Sequence, residues 1–425
     1  MLSKLKTIFT EKTIRNRVLF ILGMLIVFRA LSTIPVPGVN TLALERFLGD
    51  NSFFQVLNLF SGGGLSSLSI LMLGIGPFIT ASIIIQLMTM VFPRMKELQS
   101  EEGQAGRQTL SQYSRMLTVP LALIQTFALV SIINKQSPDV FGTLTTFGFM
   151  QVAIIVVGAS MLLMWISERL TEFGIGNGSS VIIAVGIVSG FPRAVSRIIS
   201  TYDATQAPTL IAIVAVVIAA IAAIIYVTEA ERLIEVTYAR QARSMATQGA
   251  GGSNKSYIPI RLNQAGVMPI IFALTLLMFP SFIANVMITS KVEMIKNIGS
   301  FVYVWLQNNL VHGVLYFILV FFFTYFYTAI TFDPKKISEN LQRGGAFVPG
   351  IRPDDATIDY LSRIVTRTTL VGALFLGVIA ILPSIVQYAT GIATITIGGT
   401  GILIVVSTII DMIKKTDAQI GMREY

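Results

Sequence analysis

Ten stretches of mostly apolar residues recur along the chain, each long enough to carry an α-helix across the roughly 30 Å hydrocarbon core of a bilayer. They fall at about 18–34, 65–92, 114–133, 148–166, 175–191, 209–227, 265–289, 310–331, 368–387 and 394–413. Inside hydrocarbon every backbone polar group must be bonded within its own segment, so the runs are expected as helices and the fold as an all-α polytopic membrane protein. Charge agrees with this: charged residues make up 12% of the sequence, against about 25% in a typical soluble domain. With no cysteine in the chain, disulfides, thiolate metal sites and cysteine nucleophiles are excluded. The single histidine, His312, cannot supply a site needing two imidazoles, and no cofactor is expected.

The lead-in MLSKLKTIFTEKTIRNRVLF is basic and amphipathic, and the apolar run after it ends in TIPVPGV instead of a small-residue cleavage site, so it is read as retained. With the amino terminus in the cytosol, 24 of the 31 lysines and arginines fall on the cytosolic side, six outside, and one, Arg29, within the first run. This is the positive-inside pattern for ten spans with both termini cytosolic. The net charge of +9 is therefore a topology signal and does not call for a nucleic-acid partner.

Two groups of five spans must enter the membrane from opposite sides, so any five-plus-five repeat is inverted. The expected halves are residues 1–191 and 192–425. The interruptions match in position: GIGP in span 2, NQAGVMP with Pro269 and Pro280 in span 7, GIGNGSS at the head of span 5 and GGTG in span 10. Paired interruptions of this kind point to a pathway between the halves, because irregular backbone at membrane depth must be buried in protein or line a cavity. Spans 2, 5, 7 and 10 are the candidate lining. The competing reading is that Gly and Pro are common in membrane helices, with Gly186 and Gly190 as an ordinary packing pair.

Carriers of small solutes place ionisable groups near the midplane, whereas here the Asp and Glu residues fall in loops or at span ends. The interrupted spans offer branched aliphatics instead: Ile75 and Ile79 one turn apart in span 2, with Ile183, Ile271 and Ile404 in spans 5, 7 and 10. A ring of such side chains makes a constriction that water avoids. Isoleucine is also the ordinary filler of a membrane helix, and composition alone does not separate the two.

SGGGLSSLSILMLGIGPFITASIIIQLMTMV, GRQTLSQYSR, ERLTEFGIGNGSS, NQAGVMPIIFA, GAFVPGIRP and IGGTGILIVV, in this order and spacing, resemble the SecY family, the channel subunits of the bacterial protein translocase. The resemblance runs nearly end to end. It implies ten helices in two inverted halves around an hourglass pore, with a short plug half-helix at about 62–73 comprising Gly62, Gly63, Gly64, Leu65, Leu68, Ile70, Leu71 and Leu73. It puts the five isoleucines in the pore ring, with Ser179 standing where relatives often carry an aliphatic, which would loosen the seal. A lateral gate would lie between spans 2 and 3 and spans 7 and 8, with Thr80, Gln125 and Asn263 as a polar cluster across it; for Gln125 a purely local hydrogen bond remains an alternative.

The same resemblance implies SecE and SecG as membrane partners, the SecA motor and the ribosome on the cytosolic side, and signal peptides and preproteins as substrate. Cytosolic loops at about 228–263 and 332–366 would dock them, through Arg240 and Arg243 in the first and Arg352 in the second, unless Arg352 is simply a solvated loop arginine. Asp354 stands where relatives often carry Gly. No GxxxxGK[ST] occurs, so the chain is not expected to hydrolyse nucleotides, and no residue at membrane depth is placed to activate a Ser or Thr nucleophile. The expected function is a protein-conducting channel of the plasma membrane and not an enzyme, with a secondary transporter as the alternative.

Overall fold

A computed structural model describes residues 11–40, 58, 61–65, 68–100, 103–141, 145–200, 207–238, 256–288, 290, 292–390 and 396–421. Each of the ten apolar runs contributes its own helix, the run at 65–92 only from Gly76 onward. They are α1 (Lys12–Ser32), α2 (Gly76–Val91), α4 (Gly103–Gln136), α5 (Thr146–Phe173), α6 (Gly178–Ser200), α7 (Ala207–Glu229), α8 (Met268–Ile288), α10 (Asn309–Thr331), α12 (Asp355–Thr390) and α13 (Thr396–Gly421). Three further helices join them: α3 (Pro93–Ser100), α9 (Glu293–Gln307) and α11 (Pro334–Arg343). Six helices among the described residues are long and apolar enough to cross a membrane by themselves, and α2 and the first part of α6 are shorter apolar helices. At 16 residues, α2 reaches only about 24 Å.

The first five spanning helices pack on one another, α2 on α4, α4 on α5, α5 on α6 and α1 on α5. The second five do the same through α8 on α10, α10 on α12, α12 on α13 and α7 on α13. Two seams join the groups: α6 against α13 on one side, and α8 against α2 and α4 on the other. A single cluster of buried apolar side chains runs through both groups, from Ile21 and Phe28 to Leu403 and Ile404. Hydrocarbon gives apolar helices no reason to seek one another, so this packing rests on dispersion and close fit.

The described parts of the stretches expected as cytosolic loops at 228–263 and 332–366 carry regular structure. β1 (Glu231–Tyr238) pairs antiparallel with β2 (Ser256–Arg261) and with β3 (Ala346–Phe347), giving the order β2-β1-β3. The alternation in β1 buries Ile234 and Val236. Ile234, Ile260, Val348, Leu361, Ile364 and Val365 form a second small core that fastens the sheet to the first turns of α12. Glu231 binds Arg261 opposite it at 3.3 Å and Lys414 of α13 at 3.5 Å, while the Lys414 ammonium also donates to the Thr228 carbonyl. The membrane part is helical apart from the turns leading into α2, and the sheet is a small appendix at one end of it.

None of the four expected interruptions breaks a helix, GIGP among them, since it leads from turns into α2. GIGNGSS is the compact turn between α5 and α6, with Gly176 at φ +93° and the Gly178 amide donating to the Thr171 hydroxyl. GGTG lies within α13, where Gly401 makes room for the Ile187 side chain of α6. Span 7 opens on a turn with Gly266 at φ +62° before α8 begins, and Pro280 sits inside that helix.

Candidate functional site

Ile75, Ile79, Ile183, Ile271 and Ile404 come from the four elements expected to line a pathway, and all five belong to the same buried apolar cluster. None is more than 5% exposed, so none faces lipid. Among the described residues the buried polar side chains are Ser, Thr and Asn only, and no buried residue carries a charge. The buried hydroxyls mostly bond to their own helix: Thr324 to the Val320 carbonyl at 2.6 Å and Thr408 to the Ile404 carbonyl at 2.7 Å. They are thereby satisfied without a partner across the site.

Ser179 is engaged at the start of α6. Its hydroxyl is 2.8 Å from that of Ser167 on α5, and its amide donates to Asn177 Oδ1. The side chain belongs to the α5–α6 contact, where a Cβ on Gly178 would lie 2.0 Å from the Ser167 carbonyl oxygen. Arg29 lies exposed in the last turn of α1, where a cation suits the helix dipole.

The 62–73 segment differs from the expected half-helix. Its described residues form successive turns with Gly62 at φ +65°, Gly63 at +84°, Gly74 at +57° and even Leu68 at +38°. Positive φ at these positions interrupts helical pairing. Amides that a helix would satisfy go elsewhere: Leu65 donates to the Ser61 hydroxyl, Leu71 to the Ser69 hydroxyl and Ile70 to the Ile34 carbonyl, beside a bridge between Pro35 and Ser69. The segment is buried almost throughout, which is what irregular backbone at membrane depth requires.

Its side chains divide between two environments. Leu71 joins the cluster of the isoleucines, while Leu65, Leu68 and Leu73 pack with Leu129, Ile133 and other residues of α4 and α5, and Ile70 touches both. At the other end, Gly62 meets α6 backbone to backbone. A Cβ on Gly186 would lie 2.4 Å from the Gly62 Cα, and a Cβ on Gly62 would lie 2.5 Å from the Phe28 ring. Gly186 and Gly190 are therefore not one packing pair, because Gly190 has open space around it. Ser189 donates to the Gly186 carbonyl at 2.7 Å and lies 3.5 Å from the Gly62 carbonyl, and Arg29 donates to the Ser189 hydroxyl at 3.2 Å.

Thr80 lies on α2 and Gln125 on α4, whereas Asn263 lies in the turn before α8, beside Gly372 of α12; no hydrogen bond joins the three among the described residues. Thr80 donates to the Gly76 carbonyl of its own helix at 3.0 Å. Asn263 donates to the Gly266 carbonyl at 3.2 Å, and its Oδ1 is buried without a partner. Gln125 is half-buried on α4. The seam is thus held by apolar contact more than by a polar network. Sequence reasoning missed Gln86 on α2, whose buried Oε1 also lacks a partner; the polar residue closing the run SIIIQ was its only signal. It also missed Phe28 and Ser189, which matter only through distant backbone contacts.

Arg352 is exposed on a turn held by its own backbone: its carbonyl accepts from the Thr357 hydroxyl at 2.7 Å and from the Asp354 amide at 2.9 Å. Gly350 at φ +81° makes the turn, and Gln342 of α11 donates to the Pro353 carbonyl. Asp354 sits exposed in this turn, its backbone carbonyl bonded to the Thr357 amide at the start of α12. Arg240 and Arg243 lie outside the described residues.

The SecY family model matches residues 69–413. A protein translocase subunit SecY from Aquifex aeolicus is 39% identical over 430 aligned residues, covering 99% of this chain and 98% of the relative. Among solved structures, a SecY described for the plug domain that stabilises its closed state and maintains a membrane seal superposes with a TM-score of 0.65 at 19% identity, over 94% of this chain and 91% of that one. Canine Sec61, described in a ribosome–channel complex from the endoplasmic reticulum, superposes with a TM-score of 0.59 at 17% identity, over the same shares of the two chains. A fold of ten spanning helices, a buried aliphatic cluster where the interrupted spans meet and a family match over most of the length agree: the chain belongs to the SecY family of protein translocase channel subunits.

Proposed function

We propose that unfolded polypeptide crosses a bacterial plasma membrane through the ring formed by Ile75, Ile79, Ile183, Ile271 and Ile404, and that apolar segments of about 20 residues leave sideways into lipid. The observation that carries this reading is the burial of all five in one apolar cluster, with no charged residue buried among the described residues. A branched aliphatic constriction excludes water and ions, yet offers a passing chain nothing to bind tightly. The solute carrier considered as the alternative would need embedded ionisable groups.

Residues 62–73 act as the plug in this reading, resting on Gly186 and Phe28 until displaced. The lateral gate is the seam of α8 against α2 and α4, where an apolar signal segment binds the open state better than the closed one and shifts the population toward it. The division between residues 1–191 and 192–425 falls in the last turns of α6, which continues through Pro192 to Ser200. The sheet end faces the cytosol with both termini, and there the rigid Arg352 turn meets carboxylates or phosphates of SecA or the ribosome. SecE and SecG complete the membrane complex. The test is a photo-crosslinking probe at Ile79 with a secretory chain stalled in transit: a crosslink during active translocation is expected, and its absence overturns the reading.

A further inference from the structure

The helix α9 carries three distinct faces around its axis. Gly299 and Leu306 are buried, with Val302 and Tyr303 half-buried beside them, and this face packs on the end of α8. A Cβ on Gly299 would lie 2.7 Å from Met287 Cβ and 2.9 Å from the Ala284 carbonyl oxygen, so the two helices are in close backbone contact there. A second face holds Lys296, Asn297 and Ser300, with Val304 among them, all exposed. The third is an apolar stripe at i, i+4, i+7 and i+11: Met294 is 73% exposed, Ile298 47%, Phe301 73% and Trp305 49%.

Chain connectivity limits what can cover that stripe. α8 starts seven residues after β2 and its 21 residues span about 31 Å, so it ends on the membrane face opposite the sheet. Only residues 289–292 separate it from α9, and only Asn308 separates α9 from α10. A 15-residue helix tethered so closely at both ends stays at the hydrocarbon border. Its stripe also continues into an exposed apolar row on α10, Leu310, Val314, Ile318 and Phe322, on a helix apolar enough to span the membrane.

We infer that α9 is an interfacial helix, lying in the headgroup–acyl boundary of the leaflet opposite the sheet with Met294, Ile298, Phe301 and Trp305 among the acyl chains. A helix with one apolar and one polar exposed face minimises its free energy in that layer, and tryptophan favours the same depth. The buried face keeps α9 attached to α8, so lipid contact here anchors the outer end of that helix.

The chain has no cysteine and only two tryptophans, Trp165 and Trp305, so both tests need few substitutions. The full chain is reconstituted in phosphatidylethanolamine–phosphatidylglycerol vesicles with spin labels placed singly through Met294→Cys, Ile298→Cys, Phe301→Cys, Asn297→Cys and Ser300→Cys. The stripe positions are expected to be reached by oxygen and shielded from a water-soluble nickel complex, with Asn297 and Ser300 the reverse. Nickel access all along α9 would place it in water, and shielding of the stripe from both reagents would mean protein covers it; either result overturns the inference. Independently, in a Trp165→Phe chain Trp305 fluorescence should be quenched severalfold more by lipids brominated near the headgroup than by aqueous iodide, and the opposite order overturns it.

Discussion

Replacing Gly186 by alanine places a methyl carbon 2.4 Å from the Gly62 Cα, 3.2 Å from the Gly62 amide nitrogen and 3.5 Å from its carbonyl carbon. Non-bonded carbons rest at about 3.5–4.0 Å, so the two backbones must separate by roughly 1.1–1.6 Å. Neither partner is a flexible side chain that could swing aside, and Phe28 closes the other side of Gly62. Overpacking of this kind costs about 1–3 kcal/mol, which is about 5- to 150-fold in the equilibrium between a seated and a displaced segment. The assay is dye or ion efflux from vesicles carrying the idle channel. Gly190→Ala is the control, because nothing lies within 4 Å of its added carbon. Greater leak for Gly186→Ala alone is expected; equal leak for Gly186→Ala, Gly190→Ala and the native chain would refute the idea that residues 62–73 seal by resting on α6.

Ser189→Ala removes the acceptor of Arg29 and a 3.5 Å contact to the Gly62 carbonyl, and should raise the same leak by a smaller factor, since membrane hydrogen bonds average about 0.6 kcal/mol. Ser167→Ala leaves the Ser179 hydroxyl without its 2.8 Å partner and is expected to lower thermal stability by about 1 kcal/mol, read by melting in detergent, without changing leak. Arg352→Glu should abolish motor-driven translocation in vesicles while leaving the melting temperature unchanged, because the side chain is exposed and its turn is held by backbone bonds. Glu231→Gln loses ion pairs to Arg261 and Lys414 that are partly exposed, so its cost should stay under about 1 kcal/mol.

The spanning helices were legible because hydrocarbon imposes one rule on backbone, and every run of the required length obeyed it. The isoleucines could be picked out only through their places beside the interruptions, since nothing in their type separates a pore side chain from filler. The sheet was hidden by the charge pattern: ERLIEVTY alternates around Ile234 and Val236, yet it sits in a basic connection that reads first as a topology signal. Residues 62–73 read as a half-helix because apolar content and length fit one, whereas the decisive facts are a positive φ at Leu68 and a bridge to Pro35. The contact of Gly62 with Gly186 spans 124 positions and leaves no trace in a single sequence. GGTG misled for the opposite reason, being small residues that let α13 approach Ile187 without breaking the helix.

The central claim, that five isoleucines form the constriction through which a chain passes, is tested most directly by electron cryomicroscopy of the channel holding a stalled translocating polypeptide. The account predicts density for that polypeptide within about 4 Å, ordinary side-chain contact, of Ile75, Ile79, Ile183, Ile271 and Ile404 together, with residues 62–73 moved away from Gly186. Density crossing the membrane elsewhere, with the five side chains still packed on one another and Gly62 still against Gly186, would contradict it.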